Sequence, residues 1–358
     1  MRSSIATTVY SGCLNARILF AFVPILLSFS CSADSGDKTS DVVALDQVGT
    51  ELGVLDSVDE GDLGRSELLS DVEEEAPSDA LPFLPPDKVF ETRYVAGAAS
   101  RVINPDHTHA YMGGFGICAG KPEACKYSEG VHDDLKVQAA AIADVHTGEV
   151  VIFVGVDAVG LLRPDVDEVH ERATEAFKST FGVQFDGRRV VVGCSHTHSG
   201  PDTIGIWGPM LLEERDEEAY ISQVKQAILD AAVEAFGNLE DAELDHVYAG
   251  TAANYGDDLY ANDEDIFGLR ARRLNGEAIF HLVRWASHPT LFGYDNKGLS
   301  ADYVGTLRKR IEDQAGGVAV YFNGPIGSIY PTEVEGCAEP DAFPEGYQDP
   351  MNPPDMAS

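Results

Sequence analysis

Two histidines follow a run of β-branched residues near the middle of the chain. The run 190–192 is all valine, which is typical of a buried strand, and 199–201 reads Ser-Gly-Pro, which cannot continue one. His196 and His198 lie between them. Side chains two apart on a strand point to the same face, so the two imidazoles are predicted to converge on one ion or one proton. A solvated pair of strand-end histidines is the alternative, because a lone H-x-H motif is weak.

Polar side chains end three other predicted strands. They are Asp157, His288, and the pair Asn323 and Ser328. Ligands bind at the carboxyl ends of strands in open α/β sheets. Imidazole suits zinc, and a catalytic zinc typically has three protein ligands, an open position and a bound water activated for hydrolysis. The pattern predicts a zinc-dependent hydrolytic site, although His288 taken alone is more typical of a core histidine.

Strands and helices alternate from Val89 onward. The sequence predicts hairpins of 137–143 with 150–156 and of 269–274 with 278–286, helices at 164–181, 217–236 and 302–314, and strands at 244–250 and 318–322. Asn275-Gly276 is the strongest hairpin signal among them. Helices between strands predict an α/β fold, with a mixed β-sheet core, flanking helices and the metal site at the C-terminal ends of the strands.

The net charge is -35 over 358 residues, which excludes a general nucleic-acid-binding protein because phosphate recognition needs a basic face. Changes in composition along the chain predict four segments. They are a signal peptide at 1–31, an acidic disordered linker at 32–88, a catalytic domain at 89–335 and a Pro-rich tail or truncated remainder at 336–358.

The signal region predicts export. Residues 27–31 read Leu-Ser-Phe-Ser-Cys, which is similar to a bacterial lipoprotein signal with its leucine one place early. Lipidation of Cys31 would anchor the protein to the bacterial outer membrane or cell surface. Cleavage nearby would instead give a periplasmic or secreted protein.

An exported protein can contain disulfides. Cys118 and Cys125 enclose a loop with the Gly and Pro of a tight turn, so a disulfide between them is predicted. Cys194 lies inside the valine-rich strand and is predicted to be a small core residue and not a nucleophile.

Residues 194–201, Cys-Ser-His-Thr-His-Ser-Gly-Pro, resemble the T-H-T-H-S-G-P motif of the neutral/alkaline (non-lysosomal) ceramidase family. Further blocks resemble the family in the same order, at 99–105, 112–116, 130–135, 157, 288–290, 300–303 and 323–331. The resemblance covers roughly Val89 to Pro331. It implies a zinc hydrolase that cleaves the amide bond of an N-acyl sphingoid lipid (ceramide) or a similar N-acyl compound.

The resemblance also implies roles for individual residues. His196 and His288 would be the zinc ligands, His198 would bond the substrate or the metal-bound water, and Asp157 and Ser328 would be catalytic. The sequence departs from the family at 327–331, Gly-Ser-Ile-Tyr-Pro, where Tyr330 replaces the serine of G-D-x-S-P. A Glu and a Tyr that ligate zinc further along in the family have no matching context here. The alternative function is a non-catalytic surface lipoprotein that retains the fold.

Overall fold

The computed structural model describes residues 84–85, 87–106, 109–118, 125–208, 218–256 and 262–332. The predicted signal peptide, Cys31, nearly all of the 32–88 linker and the 336–358 tail lie outside the described residues. The proposed division into these segments therefore stays a prediction.

Eight of the described strands form one mixed sheet. In spatial order they are β11 (Val318–Asn323), β9 (Ala278–Trp285), β8 (Asp265–Arg272), β6 (Glu240–Gly250), β1 (Tyr94–Val102), β3 (Lys136–Asp144), β4 (Val150–Val156) and β5 (Val190–Cys194). Neighbours are antiparallel, except that β4 with β5 and β9 with β11 are parallel. Four short strands lie outside this sheet: β2 (Gly130–Val131), β7 (Asn254–Gly256), β10 (Gly298–Leu299) and β12 (Ile329–Pro331). Both predicted hairpins and the mixed sheet are confirmed.

Three helices flank the sheet within the described ranges: α1 (Arg163–Phe181), α2 (Glu218–Gly237) and α3 (Tyr303–Ala315). Each begins and ends within one residue of its predicted bounds. Helix α1 has a proline in its first turn, and Gly182 ends it in the left-handed conformation, donating its N–H to the Lys178 carbonyl. Helices α1 and α3 form the crossovers that parallel strand pairs require. Every described helix is too short or too polar to pass through a lipid bilayer.

The sheet folds back on itself between β1 and β6, which pair over only three residues each. The half containing β1, β3, β4 and β5 then packs face to face against β11. The rings of Phe153 and Phe322 meet there at 5.9 Å. A Cβ at Gly155 would lie 2.8 Å from the Tyr321 carbonyl oxygen, so this close approach of the two halves requires glycine.

Strand alternation explains the resulting layers. On β3, Ala139 and Ala141 belong to the large core beneath α1 and α2, whereas Ala140 belongs to the core between the two halves of the sheet. Helix α3 covers β11 from the other side. The architecture is therefore helix, sheet, sheet, helix. The sequence predicted the three helices and both hairpins, but not β1 or the fold-back.

The cysteine predictions are consistent with the structure. Cys118 and Cys125 form a disulfide, as predicted. Cys194 is a free, partly buried cysteine at the end of β5. Burial raises the pKa of its thiol to about 12, so the thiol stays protonated and is a poor nucleophile.

Candidate metal centre

His196 and His198 come together through a turn after β5. The strand ends at Cys194, and His196 takes a φ of 64°, a left-handed conformation that is uncommon for any residue except glycine. The His196 N–H donates to the Ala158 carbonyl at 3.0 Å, which holds the turn against the chain that follows β4. The two ring centroids lie 5.1 Å apart, so the imidazoles converge as predicted, but this turn brings them together and not strand alternation, because β5 ends at Cys194.

His288 reaches the same place from the other half of the sheet. It follows β9, and its N–H donates to the Ile329 carbonyl at 2.9 Å. Its ring centroid lies 4.9 Å from that of His196 and 5.0 Å from that of His198. Asn323, at the end of β11, donates from its side-chain amide to the carbonyls of Cys194 and Ser195 at 3.0 and 2.6 Å. This bridge ties the end of β11, which pairs with β9, to the end of β5, just before His196 and His198.

The hydrogen bonds of two imidazoles leave one nitrogen of each available. Nδ1 of His196 lies 2.5 Å from the Val159 carbonyl oxygen, and Nδ1 of His288 lies 2.9 Å from the Ile326 carbonyl oxygen. A carbonyl only accepts, so each Nδ1 carries the proton and each Nε2 keeps its lone pair. This carbonyl-oriented arrangement is typical of metal-bound histidines.

His198 has two buried ring nitrogens with no hydrogen-bond partner in the described part of the chain. Leaving a buried polar group unpaired costs about 1–3 kcal/mol. Burial, aided by the positive charges that His196 and His288 can carry, lowers the pKa of His198 to about 3. Burial and His196 also lower the pKa of His288. Both imidazoles are thus held neutral at physiological pH, as metal coordination requires.

These residues fit a metal ion. One potential ligand atom from each of His196, His198 and His288 can be chosen so that all lie within 4.8 Å of one another. Nitrogens bound to one tetrahedral zinc at about 2.1 Å would be about 3.4 Å apart, so modest side-chain rotations suffice. An ion shared by three imidazoles would also satisfy the unpaired His198.

The surrounding chain restrains the three rings. A Cβ at Gly114, where φ is 112°, would lie 2.3 Å from Cγ of His198, so only glycine allows this loop to pass. Phe115 then packs edge-on against His198 with centroids 4.9 Å apart. Tyr330 stacks on His288 at 5.2 Å with 15° between the ring planes.

Asp157 and Ser328 are placed differently. Asp157 is fully buried, and its carboxylate accepts hydrogen bonds from both terminal nitrogens of Arg308 and from the Lys136 N–H. Ser328 is half-buried in the turn before β12, between Ile326 and Ile329, whose carbonyls hold His288. The catalytic roles of Asp157, Ser328 and His198 stay predictions, and the contacts of Asp157 indicate a structural role.

Three polar residues with specific environments were not predicted from the sequence. Asp202 accepts from four backbone N–H groups of the 204–208 loop, as in an Asx turn, and its place after Gly-Pro was the available signal. Arg308 shares a helix face with buried Val304 and Ile311, and a charge on an apolar face indicates a buried partner. The third, Lys126, had no signal in the sequence.

Comparison with known proteins supports the fold. No protein-family model matches the sequence, and no curated protein sequence matches it. A solved ceramidase complexed with C2 is 19% identical with a TM-score of 0.56, covering 67% of this chain and 39% of that one. The neutral ceramidase from Pseudomonas aeruginosa is 18% identical with a TM-score of 0.57, covering 68% of this chain and 40% of that one.

The chain has a ceramidase-like fold. It spans about two fifths of the length of these two solved proteins, 39% and 40%. At this level of identity the likeness concerns the fold, and the activity must be argued from the site.

Proposed function

We propose that this protein is a zinc-dependent hydrolase that cleaves the amide bond of an N-acyl lipid, with ceramide as the first substrate to test. The observation that supports this most is the three-histidine cluster at the strand ends of a ceramidase-like fold. The cluster combines two imidazoles held neutral by burial, two Nδ1–H groups fixed by carbonyls, and His198, whose ring nitrogens have no hydrogen-bond partner among the described residues.

Each histidine of the cluster has a role in this proposal. His196 and His288 would hold the metal through Nε2, and His198 would supply a third imidazole. Zinc, when bound, polarises an amide carbonyl and lowers the pKa of a water toward neutrality. The carbonyls of Val159 and Ile326 fix the orientation of the two outer rings and keep their Nδ1 atoms protonated.

Two further residues complete the proposal. Ser328 lies in the turn that holds His288, and we assign it to hydrogen bonding with the reacting amide. Asp157 acts at a distance, because its ion pair with Arg308 ties α3 to the end of β4. It is therefore a positioning residue, and no proton transfer is assigned to it.

Exposed apolar side chains that neighbour the site residues along the chain suit an acyl chain. Leu291 is exposed three residues after His288, and Leu162 is exposed three residues after Val159, whose carbonyl oxygen holds His196. Apolar groups around a polar centre are typical of lipid-binding sites.

The test is release of fatty acid from a short-chain ceramide by the purified full chain with added zinc, measured by mass spectrometry. We expect a chelator to abolish release and zinc to restore it. His196→Ala and His288→Ala should each abolish release, whereas His146→Ala, at an exposed turn, should not. Release that survives both chelation and the histidine substitutions would overturn the proposal.

A second candidate is a non-catalytic surface protein that binds a metal or an acyl ligand. Tyr330 favours it, because a phenol is a poor substitute for an activated serine and its ring is held against His288. One bound zinc with no amide hydrolysis would support this candidate. Export and a lipid anchor on Cys31 are further proposals, tested by the mass of the Cys31 peptide from cells.

A further inference from the structure

Lys126 carries a buried ammonium group close to the metal centre. Its Nζ is shielded from solvent and has no hydrogen-bond partner among the residues that the structure describes. Burial lowers the pKa of Lys126 to about 8, so the charged form still predominates at neutral pH. Nζ lies 5.2 Å from the ring centroid of Phe115 and 5.8 Å from that of Tyr294. We call Lys126, Phe115 and Tyr294 the lysine pocket.

The lysine pocket adjoins the candidate metal centre. Phe115 contacts both groups, because its ring centroid lies 4.9 Å from that of His198 and 5.2 Å from Nζ of Lys126. The positive charge of Lys126 is close enough to contribute to the lowered pKa of His198. Tyr294, on the other side, is 47% exposed, so the pocket lies between solvent and the histidines.

Burying an ammonium without an anion is unfavourable, because cation–π contacts make up only part of the hydration that the charge loses. Asp295 tends to raise the pKa of Lys126, but its carboxylate is not a hydrogen-bond partner of Nζ. A ligand carboxylate would supply the missing partner through a charge-assisted hydrogen bond.

We propose that Lys126 binds a carboxylate on the amine half of the substrate, so that the site accepts N-acyl amino acids. This inference rests on the proposed amide hydrolysis. With the acyl carbonyl at the histidines, a carboxylate on the amine half would meet Nζ beside the Phe115 ring, which contacts both His198 and Lys126. The C–N bond breaks as the oxygen of water joins the acyl carbon and a hydrogen of the same water joins the nitrogen, which gives a fatty acid and a free amino acid.

The first test compares N-lauroylglycine with N-lauroylethanolamine, which differ in a carboxylate against a hydroxymethyl group. The wild-type protein with zinc should favour N-lauroylglycine in kcat/KM by about tenfold or more. Lys126→Met, which keeps the length and apolar stem, should erase this preference by raising KM for N-lauroylglycine only. Lys126→Arg should retain much of it. Equal losses on both substrates in Lys126→Met would show a purely structural lysine and overturn the proposal.

A second test does not need turnover. Binding of the same two compounds to zinc-free full-length protein is measured by calorimetry, with wild type and Lys126→Met compared. Tighter binding of N-lauroylglycine in wild type, lost in Lys126→Met, would support the carboxylate site even if no hydrolysis is found. Equal binding of N-lauroylglycine by both proteins, or none by wild type, would overturn it.

Discussion

Replacing Asp157 by asparagine should destabilise the whole domain. The Asp157 side chain is fully buried, the side chain of Arg308 is 5% exposed, and the two are bridged through both carboxylate oxygens. Asparagine keeps the size of the side chain but leaves a buried guanidinium without its counter-charge. Breaking a buried pair in this way costs about 3–5 kcal/mol. For a domain of this size that corresponds to a fall in Tm of about 6–20 °C.

The assay is a double-mutant cycle by thermal and urea unfolding. Asp157→Asn and Arg308→Gln should each destabilise the protein, and the double variant should lose about 2 kcal/mol less than the sum of the two. This non-additivity is expected because Asp157 and Arg308 are each other's partner in the ion pair. If Asp157→Asn melts within about 1 °C of wild type yet loses metal-dependent hydrolysis, the structural interpretation fails and the predicted catalytic role stands.

Two other substitutions test the packing and the pH dependence. Gly114→Ala should displace His198 and weaken zinc binding about 10–100-fold in a chelator competition. Gly160→Ala is the control and should leave zinc binding unchanged, because the nearest atom to its new Cβ is 3.5 Å away. Equal zinc affinities in the two variants would contradict the steric argument. Burial lowers the pKa of His281 to about 4. The unfolded chain therefore takes up the proton first, and stability falls by up to about 3 kcal/mol as pH drops from about 6.5 to 4. His281→Gln should remove this loss in urea unfolding across that range, and an unchanged pH dependence would refute it.

Local signals in the sequence predicted most of the elements. Asn275-Gly276 predicted the turn of the second hairpin, and Gly182 predicted the end of α1. Strand β1 was not predicted, because its sequence, Tyr-Val-Ala-Gly-Ala-Ala-Ser-Arg-Val, is rich in small residues of low strand propensity and has no clear alternation. Its small side chains follow from burial on both faces, between α2 and the second half of the sheet.

The candidate site was predictable as a set of residues but not as a geometry. Strand ends predicted that His196, His198 and His288 would be close together, and the structure groups them. The residues around His196 do not indicate that its backbone adopts a positive φ. The pairing of Asp157 with Arg308 joins residues 151 positions apart, and no local pattern specifies which buried arginine meets which carboxylate.

The most direct test of the central claim is the zinc content of the purified full chain, by elemental mass spectrometry after zinc loading and dialysis. We predict about one zinc per folded wild-type chain and in the His146→Ala control. His196→Ala, His198→Ala and His288→Ala should each fall well below this while remaining folded by circular dichroism. A folded wild-type protein without zinc, or three histidine variants that retain it fully, would contradict the account.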